Sequence, residues 1–196
     1  TDRRDKAEKA LVEARELWQS LADRDSPNTM HHRHRLAVCL ANLANVWLEM
    51  KRNDEAEEAL AHSLEIGQRL VTEVPDQPDY QELLARARNS MGVLVRETRG
   101  EQDAVPYFEE AIPRWRALFL RFPSVPEYRE ELERTCKNLL GLLDKHPDDE
   151  ESLEEALALR KELAEAFPPS GEYRHKLAEN HIRLATHLKQ PRRLPA

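Results

Sequence analysis

The densest cluster of metal-capable side chains in the chain is His31, His32 and His34, with Arg33 and Arg35 interleaved. Two histidines that share a metal on a helix need a spacing of four, which sets both rings on one face. These three lie one and two apart and point in different directions, so no metal site is expected from them. His175 and His181 also lack a partner at ligand spacing. Glutamate pairs are abundant, among them Glu57-Glu58, Glu130-Glu131 and Glu154-Glu155. On segments this rich in charge they read as solvated helix faces rather than paired catalytic acids. The chain has no Gly-x-Ser-x-Gly, no phosphate-cradling Walker loop, no Gly-x-Gly-x-x-Gly and no Cys-x-x-Cys. Catalytic residues: none; cofactors: none; metals: none. The chain is not expected to be an enzyme.

The two cysteines, Cys39 and Cys136, sit among apolar neighbours 97 positions apart. They read as packed free thiols of a reducing compartment rather than a disulfide. No apolar run approaches the roughly 18 residues of a membrane span, and no signal peptide opens the chain. The expected location is therefore cytoplasmic. The first residue is Thr1 rather than Met, which suggests a fragment of a larger protein. The formal charge of −7 argues against a nucleic-acid or anionic-membrane binder.

The elements that must position any site are helices. Hydrophobic residues make up 40% of the chain and charged residues 34%, which excludes a disordered chain. Alanine, leucine, glutamate and arginine dominate, and strand-like alternation is missing. Apolar residues recur at spacings of three and four. They predict helices over 2–24, 30–51, 54–74, 79–98, 102–121, 127–143, 149–167 and 172–189. Asn53 or Asp54 is placed to cap the third helix. Pro106 falls in a first turn and is tolerated, whereas Pro113 lies near mid-helix and predicts a kink or local break. Trp18, Trp47 and Trp115 each fall on an apolar stripe and read as interhelical core rather than a ligand cage.

The helices repeat. Asp-Glu-Ala-Glu-Glu-Ala-Leu at 54–60 echoes Asp-Lys-Ala-Glu-Lys-Ala-Leu at 5–11. Pro27, Pro75, Pro123 and Pro168 are spaced by 48, 48 and 45 residues. Each is followed five positions later by His32, Tyr80, Tyr128 and Tyr173, and then by Leu36, Leu84, Leu132 and Leu177. A fixed period of this size marks a repeat array. It divides the chain into an unpaired second helix (1–26), repeats over 27–75, 76–123 and 124–168, a terminal helix (169–190) and a frayed tail (191–196).

Within each unit a first helix carries a small residue and an apolar one, as in Leu43-Ala44 and Trp47. After the turn come Ala56, Leu60 and Ser63. The second unit repeats this with Met91-Gly92, Val95, Ala104, Phe108 and Ala111. This pattern resembles the tetratricopeptide repeat. The period is longer than that family's 34 residues, the closing proline comes later, and Leu140 replaces the small residue in the third unit. The long period with Pro-x-x-Pro-x-Tyr between units resembles arrays in large bacterial signalling proteins, including regions after serine/threonine kinase domains. The resemblance implies an all-α, right-handed α-solenoid of antiparallel hairpins, with about seven helices.

It also implies a function in protein–protein interaction, with the first helix of each pair lining a concave groove. In this register the groove gathers Asn42, Asn45, Arg86, Asn89, Arg96, Arg134, Lys137, Asn138 and Arg183. Asparagine offers donors and acceptors to an extended peptide backbone. Arginine and lysine hold carboxylates. The expected partner is a protein or peptide, acidic or ending in a free carboxylate. The plainer alternative is that these residues are ordinary solvated faces. A competing class is a structural array element that self-associates end to end through its open terminal helices.

Overall fold

A computed structural model describes residues 2–24, 26–146, 149–167 and 171–189. Among these residues the chain is all-α, with no strand. The helices are α1 (Asp2–Ala22), α2 (Thr29–Glu49), α3 (Asn53–Glu73), α4 (Pro78–Thr98), α5 (Glu101–Arg121), α6 (Pro126–Leu143), α7 (Glu150–Ala166) and α8 (Gly171–Leu188). Eight helices stand where about seven were expected. Half a unit, three hairpins and a terminal helix already make eight, and every end falls within two residues of its predicted place. Pro147 and Asp148 of the third expected turn, the stop at Pro168-Pro169-Ser170, and the expected frayed tail lie outside the described residues.

The chain divides into two compact units, Thr1–Thr135 and Cys136–Ala196, with the division inside α6. In the first unit α1 packs on α2, α2 on α3, α3 on α4 and α4 on α5, and α2 also touches α4. This is the sequential, neighbour-to-neighbour packing of an α-solenoid. Helices α1 to α5 are each 21 residues long, or roughly 30 Å. The predicted stripes form the core: Leu36, Leu43, Leu60, Leu84, Phe108 and Trp115 are all at most 2% exposed. Ser63 is polar on such a stripe, and its hydroxyl donates to the Ala37 carbonyl at 2.8 Å. The start of α6 joins this unit through Tyr128, whose ring lies 6.3 Å from that of Trp115.

The small residues act as expected at α4–α5. A Cβ on Gly92 would stand 2.8 Å from the buried Phe108 ring. The two hairpin turns close alike: the Arg52 N–H donates to the Trp47 carbonyl, and 48 residues on the Gly100 N–H donates to that of Val95. This is the six-to-one bond of a Schellman turn. Lys51 takes the left-handed conformation in the first turn, at φ 62°, and Gly100 sits at φ 121° in the second.

Three expectations are corrected. Pro113 does not break α5, which runs unbroken through Pro106 and Pro113. The ring faces solvent, where water reaches the carbonyl left without its N–H, and the Arg114 guanidinium donates to the Glu110 carbonyl of the same turn. Neither Asn53 nor Asp54 caps α3: the N-cap is Arg52 and no side-chain capping bond forms. The apolar stripe of α8 is not core, since Ile182 and Leu188 are exposed while Tyr173 and Asn180 are the buried positions. In this second unit α7 packs on α8, with the Phe167 and Tyr173 rings 5.8 Å apart. Cys39 and Cys136 are buried thiols that form no disulfide.

Candidate functional site

In the first unit the face offered by α2 and α4 is set by what their stripes bury. Leu36, Leu40, Leu43, Ala44 and Trp47 turn α2 toward its neighbours. Asn42 and Asn45 are thereby left exposed and Val38 half-buried. Leu83, Leu84, Ala87, Met91 and Leu94 do the same for α4. Between them lies a cleft of about 350 Å³. Val38 and Ala41 give it apolar walls, and Asn42, Glu82, Arg86 and His34 give it polar ones. Its charges balance, with Arg35 and Arg86 against Asp79 and Glu82. Burial depresses the pKa of His34, Asp79 opposing this, and its ring packs 5.4 Å from Tyr80.

The nine predicted residues fall into different roles. Asn42 is a solvent-facing wall of the cleft. Asn45 is exposed and accepts from the Ser90 hydroxyl at 3.2 Å, a bond that ties α2 to α4. Arg86 also lines the cleft, but it is engaged: it pairs with Glu82 at 3.0 Å and Glu131 at 2.9 Å, and lies 5.7 Å from the Trp115 ring. Asn89 is 4% exposed and belongs to the helical pack rather than to an open surface. Arg96 is half-buried and has no ion-pair or hydrogen-bond partner among the described residues. Arg134 is exposed and pairs with Glu131. In the second unit the Lys137 ammonium lies 5.8 Å over the Tyr173 ring. Asn138 is half-buried, and Arg183 is exposed, 3.7 Å from Asp144.

Several key polar groups escaped the sequence reading. Glu131 was expected on a solvated face; it is 9% exposed and holds both Arg86 and Arg134. Two cations of the expected clamp are thus already neutralised by one internal acid. Glu8 accepts from the Trp47 indole at 2.8 Å and from Arg52 at 2.5 Å, joining α1, α2 and the following turn. These donors, the indole first, hold its pKa below the ordinary carboxylate range. Arg160 is 4% exposed and bonds Asp144 at 2.5 Å. The available signal was its position: it falls on the stripe of Leu153, Ala156, Leu163 and Phe167, three or four residues from its neighbours.

The histidine tract does other work. Trp18 is half-buried, with the His31 and His32 rings 6.3 and 6.1 Å away and the Arg35 guanidinium at 5.6 Å. Among the described residues no group of three or more His, Cys, Asp or Glu is placed to hold a metal. No helix there is long and apolar enough to cross a membrane.

Residues 36–79 match the family model of the tetratricopeptide repeat. The matched segment runs from Leu36 in α2, through all of α3, to the start of α4: one helix-turn-helix unit and its junction with the next. No curated protein matches the chain.

Proposed function

We propose that this chain is a non-catalytic scaffold that binds an extended segment of a partner protein along the α2–α4 face. Tetratricopeptide repeats generally mediate protein–protein interaction, and one matches here. The observation that carries the reading is the cleft between α2 and α4, with Asn42 on its wall and Asn45 exposed on the same helix. A primary amide supplies both donor and acceptor, so an asparagine can hold a strand-like backbone without reading its sequence. Arg96 adds a cation with no ion-pair partner among the described residues.

Asn42, Asn45, Arg86, Asn89, Arg96, Arg134, Lys137, Asn138 and Arg183 remain the proposed peptide-binding set, in two roles. On the first unit the exposed Asn42 and Asn45 and the cation Arg96 are the groups a ligand meets, and Lys137, Asn138 and Arg183 are the set's members on the second unit. Arg86 and Arg134, bound to Glu131, and buried Asn89 hold the face in shape. The partner is an acidic segment or a free C-terminus, and the array serves as one module of a cytoplasmic bacterial signalling protein. Long repeats joined by Pro-x-x-Pro-x-Tyr support that setting.

Calorimetric titration with an acidic peptide carrying a free C-terminus tests the proposal. Asn42→Ala with Asn45→Ala is expected to weaken binding at least tenfold. Arg134→Ala with Lys137→Ala is expected to weaken it severalfold, mainly at low salt. Unchanged affinity in the asparagine variant overturns the groove reading.

A second reading, self-association, is favoured by large apolar side chains on terminal helices: Leu17 of α1 is 67% exposed, as is Ile182 of α8. Light scattering separates the two. A concentration-dependent dimer abolished by Leu17→Asp or Ile182→Asp supports stacking, and a monomer at all concentrations removes it.

A further inference from the structure

The backbones of α2 and α4 approach closely, whereas those of α1 and α3, and of α3 and α5, do not. The layer formed by α1, α3 and α5 is therefore splayed, and clefts open between its members. One, of about 340 Å³, lies between α1 and α3 and includes Asp23, Ile66, Leu70 and Glu73. Another, of about 420 Å³, lies between α3 and α5 and includes Val71, Arg114, Leu118 and Arg121. A shift of 48 carries Asp23 onto Val71, Ile66 onto Arg114, Leu70 onto Leu118 and Glu73 onto Arg121. They are the same cleft in successive repeats, with the chemistry rewritten. An acid has become apolar, an isoleucine and an acid have become arginines, two arginines (Arg33 and Arg69) have become Gln81 and Ala117, and the framework leucine is kept.

The arginines of the second cleft form no close ion pair among the described residues, although one acid, Asp76, lines the cleft with them and Glu110 stands near Arg114. Arg114 donates to the Glu110 carbonyl at 2.5 Å and Arg121 to the Asp76 carbonyl at 3.0 Å, and neither makes an ion pair with a carboxylate at close range among the described residues. Elsewhere in this unit Arg4, Arg52, Arg69, Arg86, Arg88, Arg99 and Arg134 each pair with a glutamate, whereas Arg96, among the described residues, does not. Arg114 is also partly desolvated beside another cation, Arg88, with the Glu110 carboxylate opposing both effects. An unpaired guanidinium against an apolar wall is a receptor for a carboxylate. The wall is rigid: Pro75, Pro78 and Pro113 line it with Val71 and Leu118. A helix-interior proline costs about 3 kcal/mol, and the equivalent position of α3 carries Glu65. Pro113 thus stands where it shapes this cleft and nowhere in the preceding one.

We propose that the α3–α5 cleft is a second binding site, on the layer away from the α2–α4 groove, for an acidic peptide segment that seats an apolar side chain against Leu118 and the prolines. Its flanking carboxylates pair with Arg114 and Arg121. The probe is a fluorescein-labelled nonapeptide alternating aspartate and leucine, capped at both ends so that no terminal carboxylate is present. Fluorescence anisotropy at low salt is expected to show saturable binding to the whole chain. The aspartate-to-asparagine peptide and Arg114→Gln with Arg121→Gln should each lower affinity at least tenfold. Arg121→Gln alone, at an exposed position that leaves the fold intact, should lower it at least threefold. In the Asn42→Ala with Asn45→Ala background, where the groove is disabled, the probe should still bind and should still lose at least threefold in affinity on Arg121→Gln, which separates this site from the groove. No saturable binding, equal affinity in the Arg121→Gln variant, or loss of all binding in the asparagine variant would each overturn the proposal.

Discussion

A single methyl group added at Gly92 would stand 2.8 Å from the Phe108 ring, inside van der Waals contact. Phe108 is fully buried and cannot swing aside without opening the α4–α5 interface. Gly92→Ala is therefore expected to lower stability by about 1–3 kcal/mol, read by chemical denaturation. Glu8 is a second pressure point. Trp47→Phe removes the indole N–H together with part of a buried ring, and a loss of about 1–3 kcal/mol follows. The Glu8 carboxyl is held below its ordinary range, so its contribution is present at neutral pH and is lost as pH falls through the folded-state value. Glu8→Gln should flatten the acid limb of the stability profile. Of these positions Gly92 was legible, because a small residue recurs at Ala44 one repeat earlier. Glu8 and Glu131 were not. Their arginine partners across the array, Arg52 for Glu8 and Arg86 for Glu131, lie 44 and 45 residues away, about one helical turn short of the 48-residue period, and a chain full of glutamates does not mark which of them turn inward.

Each hairpin is shaped by its turn as much as by its stripes. Gly100 has open space around its Cβ position, so the demand for glycine comes from φ 121° alone. Gly100→Ala is expected to cost about 1–3 kcal/mol. Pro113 gives the opposite sign: Pro113→Ala restores a backbone bond in α5 and should raise stability by up to about 3 kcal/mol, measured by thermal melting. The helices were readable from spacing because each must bury one stripe, and apolar side chains mark that stripe. The caps and the tolerance of Pro113 were not. They depend on where water and neighbouring side chains reach the backbone, and local composition does not carry that information.

Across the first unit the same cross-links recur at nearly constant separation: Asn45 with Ser90, Arg86 with Glu131 and the Arg121 guanidinium with the Asp76 carbonyl, each 45 residues apart. Stability in such an array is a sum of neighbouring interfaces. His34 sits at one of them and is held neutral by burial. Its folded pKa is depressed, so the stability it carries is full above the ordinary histidine range and declines as pH falls from that range through the folded-state value. His34→Gln should lose less melting temperature than the parent between about pH 7.5 and 5.5. The repeat architecture was written in the spacing of prolines, tyrosines and leucines. The division inside α6 was not, because the residues around Thr135 and Cys136 continue the helical pattern without a composition break.

Amide chemical-shift mapping tests the central proposal most directly, with an acidic peptide bearing a free C-terminus titrated into the labelled chain. Binding along the α2–α4 face predicts saturable shifts concentrated at Asn42, Asn45, Arg86 and Arg96, and their loss in Asn42→Ala with Asn45→Ala. Shifts absent from α2 and α4, or unchanged in that variant, would contradict it.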